Sequence, residues 1–72
     1  MKRYLGVVNI KGFIEFHTGN DSYRILLKID DINMIFETED ARARIYLENG
    51  EDYYTYESYD EIRSAIQEAW DD

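Results

Sequence analysis

His17 is the one imidazole in this chain of 72 residues, and the one side chain whose ordinary titration lies near neutral pH. It alternates with Phe13 and Glu15 in an extended run, which predicts an exposed strand position close to a turn. A nucleophile–imidazole–carboxylate triad would need a nucleophile and an orienting carboxylate brought to His17 by the fold, which is not a matter of sequence spacing. Asp30-Asp31 and the group Glu37, Glu39 and Asp40 could offer oxygen ligands to a hard cation. Neither has the loop spacing and internal glycine of a calcium loop, so both read as solvated turns. Without cysteine, disulfides and thiolate metal sites are excluded, and a lone His excludes the common zinc arrangements. No glycine-rich phosphate loop or His-Glu-x-x-His motif occurs. General acid–base work by paired carboxylates needs a pocket that desolvates one of them, which so short a chain rarely encloses. The expectation is a protein that is not an enzyme and takes no metal or cofactor.

The charge is laid out unevenly. Residues 1–29 hold five Lys/Arg (Lys2, Arg3, Lys11, Arg24, Lys28) against two acids and carry +3, whereas residues 30–72 hold fourteen acids against Arg42, Arg44 and Arg63 and carry −11. Such a field repels nucleic acid and anionic membrane and attracts basic protein surfaces. No run approaches the roughly 20 apolar residues of a membrane span, and the N-terminal apolar run is too short for a signal peptide. A cytoplasmic location is expected, in a bacterium or in a host cell if the chain is phage-encoded.

The elements that must position these residues can be read from alternation and turn signals. The length fits a single domain, residues 1–72. Residues 3–8 and 13–18 read as strands separated by Asn9-Ile10-Lys11-Gly12. Gly19-Asn20-Asp21 opens a third, Ser22–Ile29, with Tyr23, Ile25, Leu27 and Ile29 on one face. After Asp30-Asp31, residues Ile32–Thr38 place Ile32, Met34 and Phe36 together. Ser58-Tyr59-Asp60-Glu61 is a capping box, and Ile62, Ala65, Ile66, Ala69 and Trp70 form the apolar stripe of a helix over about residues 59–70. The fold class is α+β: an antiparallel sheet or half-open barrel of five or six strands with one C-terminal helix.

The sharpest local signal is Ala41–Ser58. Ala41, Ala43, Ile45 and Leu47 alternate with Arg42, Arg44, Tyr46 and Glu48, and Asn49-Gly50 follows as a two-residue type I′ turn signal. Counting outward from that turn, Glu48 faces Glu51, Leu47 faces Asp52, Tyr46 faces Tyr53, Ile45 faces Tyr54, Ala43 faces Tyr56 and Arg42 faces Glu57. Facing residues share a sheet face. Tyr54 and Tyr56 are thus expected in the core, and Tyr46 and Tyr53 on the opposite face, with Arg42–Glu57 as an ion pair. The candidate partner-binding residues are Tyr46, Glu48, Glu51, Asp52, Tyr53 and Glu57, a tyrosine pair ringed by acids. The alternative is that the N-terminal strands cover this face.

Residues 29–66 resemble the small flagellar FlbD-like family and similar uncharacterised phage and bacterial proteins. The matching residues are Ile29-Asp30-Asp31-Ile32 and Met34-Ile35-Phe36-Glu37, then Ile45-Tyr46-Leu47-Glu48-Asn49-Gly50, Tyr53, Glu57-Ser58 and Asp60-Glu61-Ile62 with Ile66. The resemblance covers about half the chain and implies a strand–turn–strand–helix unit acting as an interaction or assembly module. A looser similarity to LytTR DNA-binding domains is opposed by the acidic half.

The leading expectation is a small acidic binding protein that occupies a basic, nucleic-acid-binding surface of another protein, as a phage-type inhibitor or nucleic-acid mimic does. The alternative is a FlbD-like module whose partner is unrelated to nucleic acid. Direct nucleic-acid binding and membrane association are not expected. A homodimer is expected, because a chain without disulfides or metal has few other ways to add stability.

Overall fold

Two hairpins of one kind shape the acidic half of the chain. At the second, Leu47 N–H donates to Glu51 O at 2.8 Å and Gly50 N–H to Leu47 O at 3.1 Å, with Gly50 at φ +93°. At the first, Thr38 N–H donates to Arg42 O and Ala41 N–H to Thr38 O, with Ala41 at φ +69°. Both are three-residue loops: a tight turn followed by one left-handed residue that forms a bulge. A type I′ turn needs two positive φ angles, and of the Asn49-Gly50 pair only Gly50 has one.

The computed structural model describes residues 10–71, so the strand expected at residues 3–8 lies outside the described residues. The elements are β1 (Phe13–His17), β2 (Arg24–Lys28), a short 3-10 turn (Ile29–Asp31), β3 (Ile32–Glu37), β4 (Arg42–Leu47), β5 (Asp52–Ser58) and α1 (Tyr59–Asp71). The class is α+β. In place of the single sheet or half-open barrel expected, β1 and β2 form a two-stranded antiparallel sheet and β3, β4 and β5 a three-stranded one. A lone antiparallel bridge between Thr18 and Thr55 links them. Among the described residues no helix is long and apolar enough to cross a membrane.

The core comprises Ile14 and Phe16 of β1, Leu27 of β2, Ala43, Ile45 and Leu47 of β4, and Ile62 and Ala69 of α1. The capping box forms reciprocally: Glu61 N–H donates to Ser58 Oγ at 3.0 Å, and Ser58 N–H to Glu61 Oε1 at 2.9 Å. The stripe that follows is narrower than its spacing suggested. Ile62 and Ala69 are buried and Ala65 and Ile66 half-buried, while Trp70 is 58% exposed. Trp70 lies about 80° around the helix from Ile62, which carries it past the edge of the sheet-facing side.

Two strand faces also differ from expectation. Tyr23 sits in the loop before β2, where Thr18 N–H donates to its carbonyl, and it is 67% exposed. In β3 the register shifts between Ile32 and Met34. The extra residue turns Ile32 and Ile35 toward the core and sends Met34 and Phe36 outward.

Candidate functional site

The three-residue loop at Glu48-Asn49-Gly50 moves the β4–β5 register by one residue from the expected pairing. Tyr46 faces Asp52, Ile45 faces Tyr53 and Arg44 faces Tyr54. Since alternate residues occupy opposite faces, a slip of one exchanges every side chain of β5 between core and solvent. Tyr53 and Thr55 therefore turn inward. Tyr54 and Tyr56, expected in the core, lie on the outer face.

The proposed partner-binding residues are accordingly not gathered on one face. Tyr53 is half-buried against Phe16, its ring 5.9 Å away and edge-on. Tyr46 lies on the outer face, its ring 5.8 Å from that of Phe36. Glu48 and Glu51 are exposed at the turn, with Glu48 inside the loop, so Leu47 rather than Glu48 bonds Glu51. Asp52 binds Arg44, Nη1 to Oδ2 at 2.6 Å. Glu57 accepts from His17 and not from Arg42: a second register shift between Arg42 and Arg44 brings Arg42 opposite Ser58.

At that bulge Thr55, fully buried, takes over a ladder position. Ala43 N–H donates to its hydroxyl at 3.1 Å, and the hydroxyl donates to the Glu57 carbonyl at 2.7 Å. A valine in its place would leave both backbone groups unpaired.

The outer face of β3–β4–β5 is the surface that the expected register concealed. It presents Met34, Phe36, Arg42, Arg44, Tyr46, Asp52, Tyr54 and Tyr56, with Met34 51%, Phe36 41% and Tyr56 59% exposed. The Arg42 guanidinium stands 5.1 Å from the Tyr56 ring centre and 5.7 Å from that of Tyr54, and Arg44 stands 5.4 Å from Tyr54. These are cation–π distances. Aromatics, Met and Arg are the residue types enriched where protein surfaces meet. Two of the three arginines of the acidic half lie on this face, held there by its rings.

Tyr54 is held at its hydroxyl and at its ring edge. Its hydroxyl donates to Asp40 Oδ2, whose other oxygen accepts from the Thr38 hydroxyl. Gly19 lies against its ring edge: a Cβ there would come within 2.5 Å of Tyr54 Cδ2. The Thr38 hydroxyl, and after it that of Tyr54, lowers the Asp40 carboxyl from 3.8 to about 2. The same bond, donated to Asp40, raises the Tyr54 phenol above its ordinary value. The Glu37, Glu39 and Asp40 group, read as possible cation ligands, thus commits Asp40 to a turn-bracing role. Among the described residues no three His, Asp or Glu converge as metal ligands.

A sequence signal for this face did exist. Arg42 and Arg44, Tyr54 and Tyr56, and Met34 and Phe36 are each two apart, as residues sharing one face of a strand must be. Comparison with known proteins adds no relative: no family model matches the chain, and no curated protein or solved structure matches it.

Proposed function

We propose that this chain is a non-catalytic binding protein that occupies a basic surface of another protein, a surface that otherwise binds nucleic acid. One observation carries the reading: the two acidic turns, Glu37-Thr38-Glu39-Asp40 and Glu48 to Asp52, cap opposite ends of a sheet whose outer face is aromatic. In this reading the carboxylates at both ends stand in for the phosphates of a nucleic acid, and they speed capture of a cationic partner by electrostatic steering. The rings between them supply the area that electrostatics alone lacks. The partner is to be sought in the bacterial cytoplasm, including that of a phage-infected cell.

The test is capture of partners from such a lysate on the immobilised full chain, followed by titration of the purified partner at about 50 and about 300 mM salt, across which exposed charges become screened. The expected result is a partner that binds nucleic acid, is displaced from it by this chain, and loses affinity steeply as salt rises. Charge reversal of Glu48, Glu51 and Asp52 to Lys, in a variant shown to be folded by circular dichroism, should abolish binding. A salt-insensitive partner with no nucleic-acid site would refute the reading.

A further inference from the structure

Tyr54 and Tyr56 show how the outer face treats a guanidinium, because Arg42 and Arg44 of the same chain lie over them. Phe36 and Tyr46 continue that aromatic surface toward β3. Their rings are 5.8 Å apart and inclined by 33°, and Phe36 and the adjoining Met34 are substantially exposed. Tyr46 faces Asp52 directly in the ladder, and Glu48 and Glu51 stand exposed at the same end of the hairpin. An open ring surface with carboxylates at its margin suits a side chain with an alkyl stem and a cationic head. The stem lies on the rings, the charge meets the ring faces, and the head reaches the carboxylates.

We propose that the Phe36–Tyr46 pair, with Met34 beside it and the exposed Glu48 and Glu51 at its margin, seats a lysine or arginine side chain of a basic partner protein, making the outer face of β3–β4–β5 the contact surface. The inference rests on the binding reading above and adds where the partner sits and what it inserts. Charge decides against a second copy of this chain as the occupant. The face and its turns carry Glu37, Glu39, Asp40, Glu48, Glu51 and Asp52 against only two arginines. Arg44 is already paired with Asp52, and Arg42 already lies over Tyr54 and Tyr56. Two such faces would meet with like charge, whereas a basic surface meets this one with opposite charge.

The experiment titrates the isotope-labelled full chain with nona-arginine and nona-lysine peptides, mapping amide shifts and measuring affinity. The parent is compared with the double variant Phe36→Leu/Tyr46→Leu, which keeps apolar bulk but removes both rings, and with Glu68→Gln on the exposed side of α1. The expected result is that shifts concentrate at residues 34–36, 46 and 52. The ring variant, folded by circular dichroism, should lose on the order of tenfold in affinity, and Glu68→Gln less than about twofold. Shifts confined to α1, with unchanged affinity in the ring variant, overturn this placement and leave the basic-partner reading standing. Absence of binding to both peptides overturns both. Tighter binding of a single-stranded oligothymidylate at the same face also overturns the placement, since it would assign the rings to base stacking.

Discussion

Glu57 holds His17 at two points. One carboxylate oxygen accepts the His17 backbone N–H at 2.9 Å, and the other lies 2.7 Å from Nδ1 of the ring. The residues are 40 apart in sequence, and the contact joins β1 to β5 beside the Thr18–Thr55 bridge that links the two sheets. Glu57→Ala is expected to destabilise the fold by about 1–2 kcal/mol, the worth of a charge-assisted hydrogen bond in a partly exposed setting. Glu57→Gln, which still accepts the backbone N–H, should cost less. Urea denaturation of the two variants checks the order.

The bonds that Asp40 accepts from the Thr38 hydroxyl and, after it, from the Tyr54 hydroxyl make part of the stability depend on acid. The Asp40 carboxyl is lowered in the folded state to about 2 from its ordinary 3.8. The unfolded chain therefore binds the extra proton, and the contribution is present above about pH 4 and lost as pH falls toward 2. Tyr54→Phe should raise the Asp40 carboxyl toward the ordinary value and shallow the loss of stability over that range. A carboxyl-detected NMR titration with melts at several acid pH values tests both.

Gly19 has no room for a side chain. A Cβ would lie 2.5 and 2.6 Å from two Tyr54 ring carbons and 3.1 Å from the Thr55 carbonyl oxygen. Gly19→Ala is expected to cost roughly 1–3 kcal/mol by displacing the ring, and to change the near-ultraviolet tyrosine signal. The stability loss should shrink in a Tyr54→Ala background, where the ring is absent.

Ala41 occupies the left-handed position that Gly50 fills in the second hairpin, at φ +69° with an exposed side chain. That conformation costs an L-residue about 1–2 kcal/mol. Ala41→Gly is expected to raise stability by up to about 1 kcal/mol, because glycine's greater unfolded freedom offsets part of the gain. Gly50→Ala should have the opposite sign. Thermal melts of the two variants give the comparison.

On α1, Ile62 is buried to 2% exposure and Trp70 is not. Ile62→Asp is expected to unfold the domain, because an unpaired buried carboxylate costs several kcal/mol, comparable to the whole stability of so short a chain. Ile66→Asp, at a half-buried site, should be severe but less so. Trp70→Ala and Gln67→Asp should lie within about 0.5 kcal/mol of the parent. Circular dichroism at 222 nm during melting reads all four.

The features that the sequence determined by itself are those whose physics is local. Ser58 and Glu61 start the helix because their spacing lets each reach the other's backbone N–H. Ala43, Ile45 and Leu47 face the core because alternate residues of a strand share a face. Gly12 and Gly50 fall at turns that need positive φ. Which side of β5 faces inward was not local. Asn49-Gly50 serves a two-residue or a three-residue loop, both of which need a left-handed glycine, and the choice moves the register by one. Packing decided it. Tyr53 lies edge-on against Phe16, and Thr55 bridges the bulge beside Ala43, whereas Tyr54 in its place would need room for a ring next to the core. The shift in β3 likewise depends on its pairing with β4, which its own alternation of Ile32, Met34 and Phe36 cannot report. The aromatic face, with Arg42 and Arg44 over Tyr54 and Tyr56, exists only once both registers are set, because its residues come from three strands that meet only in the folded sheet.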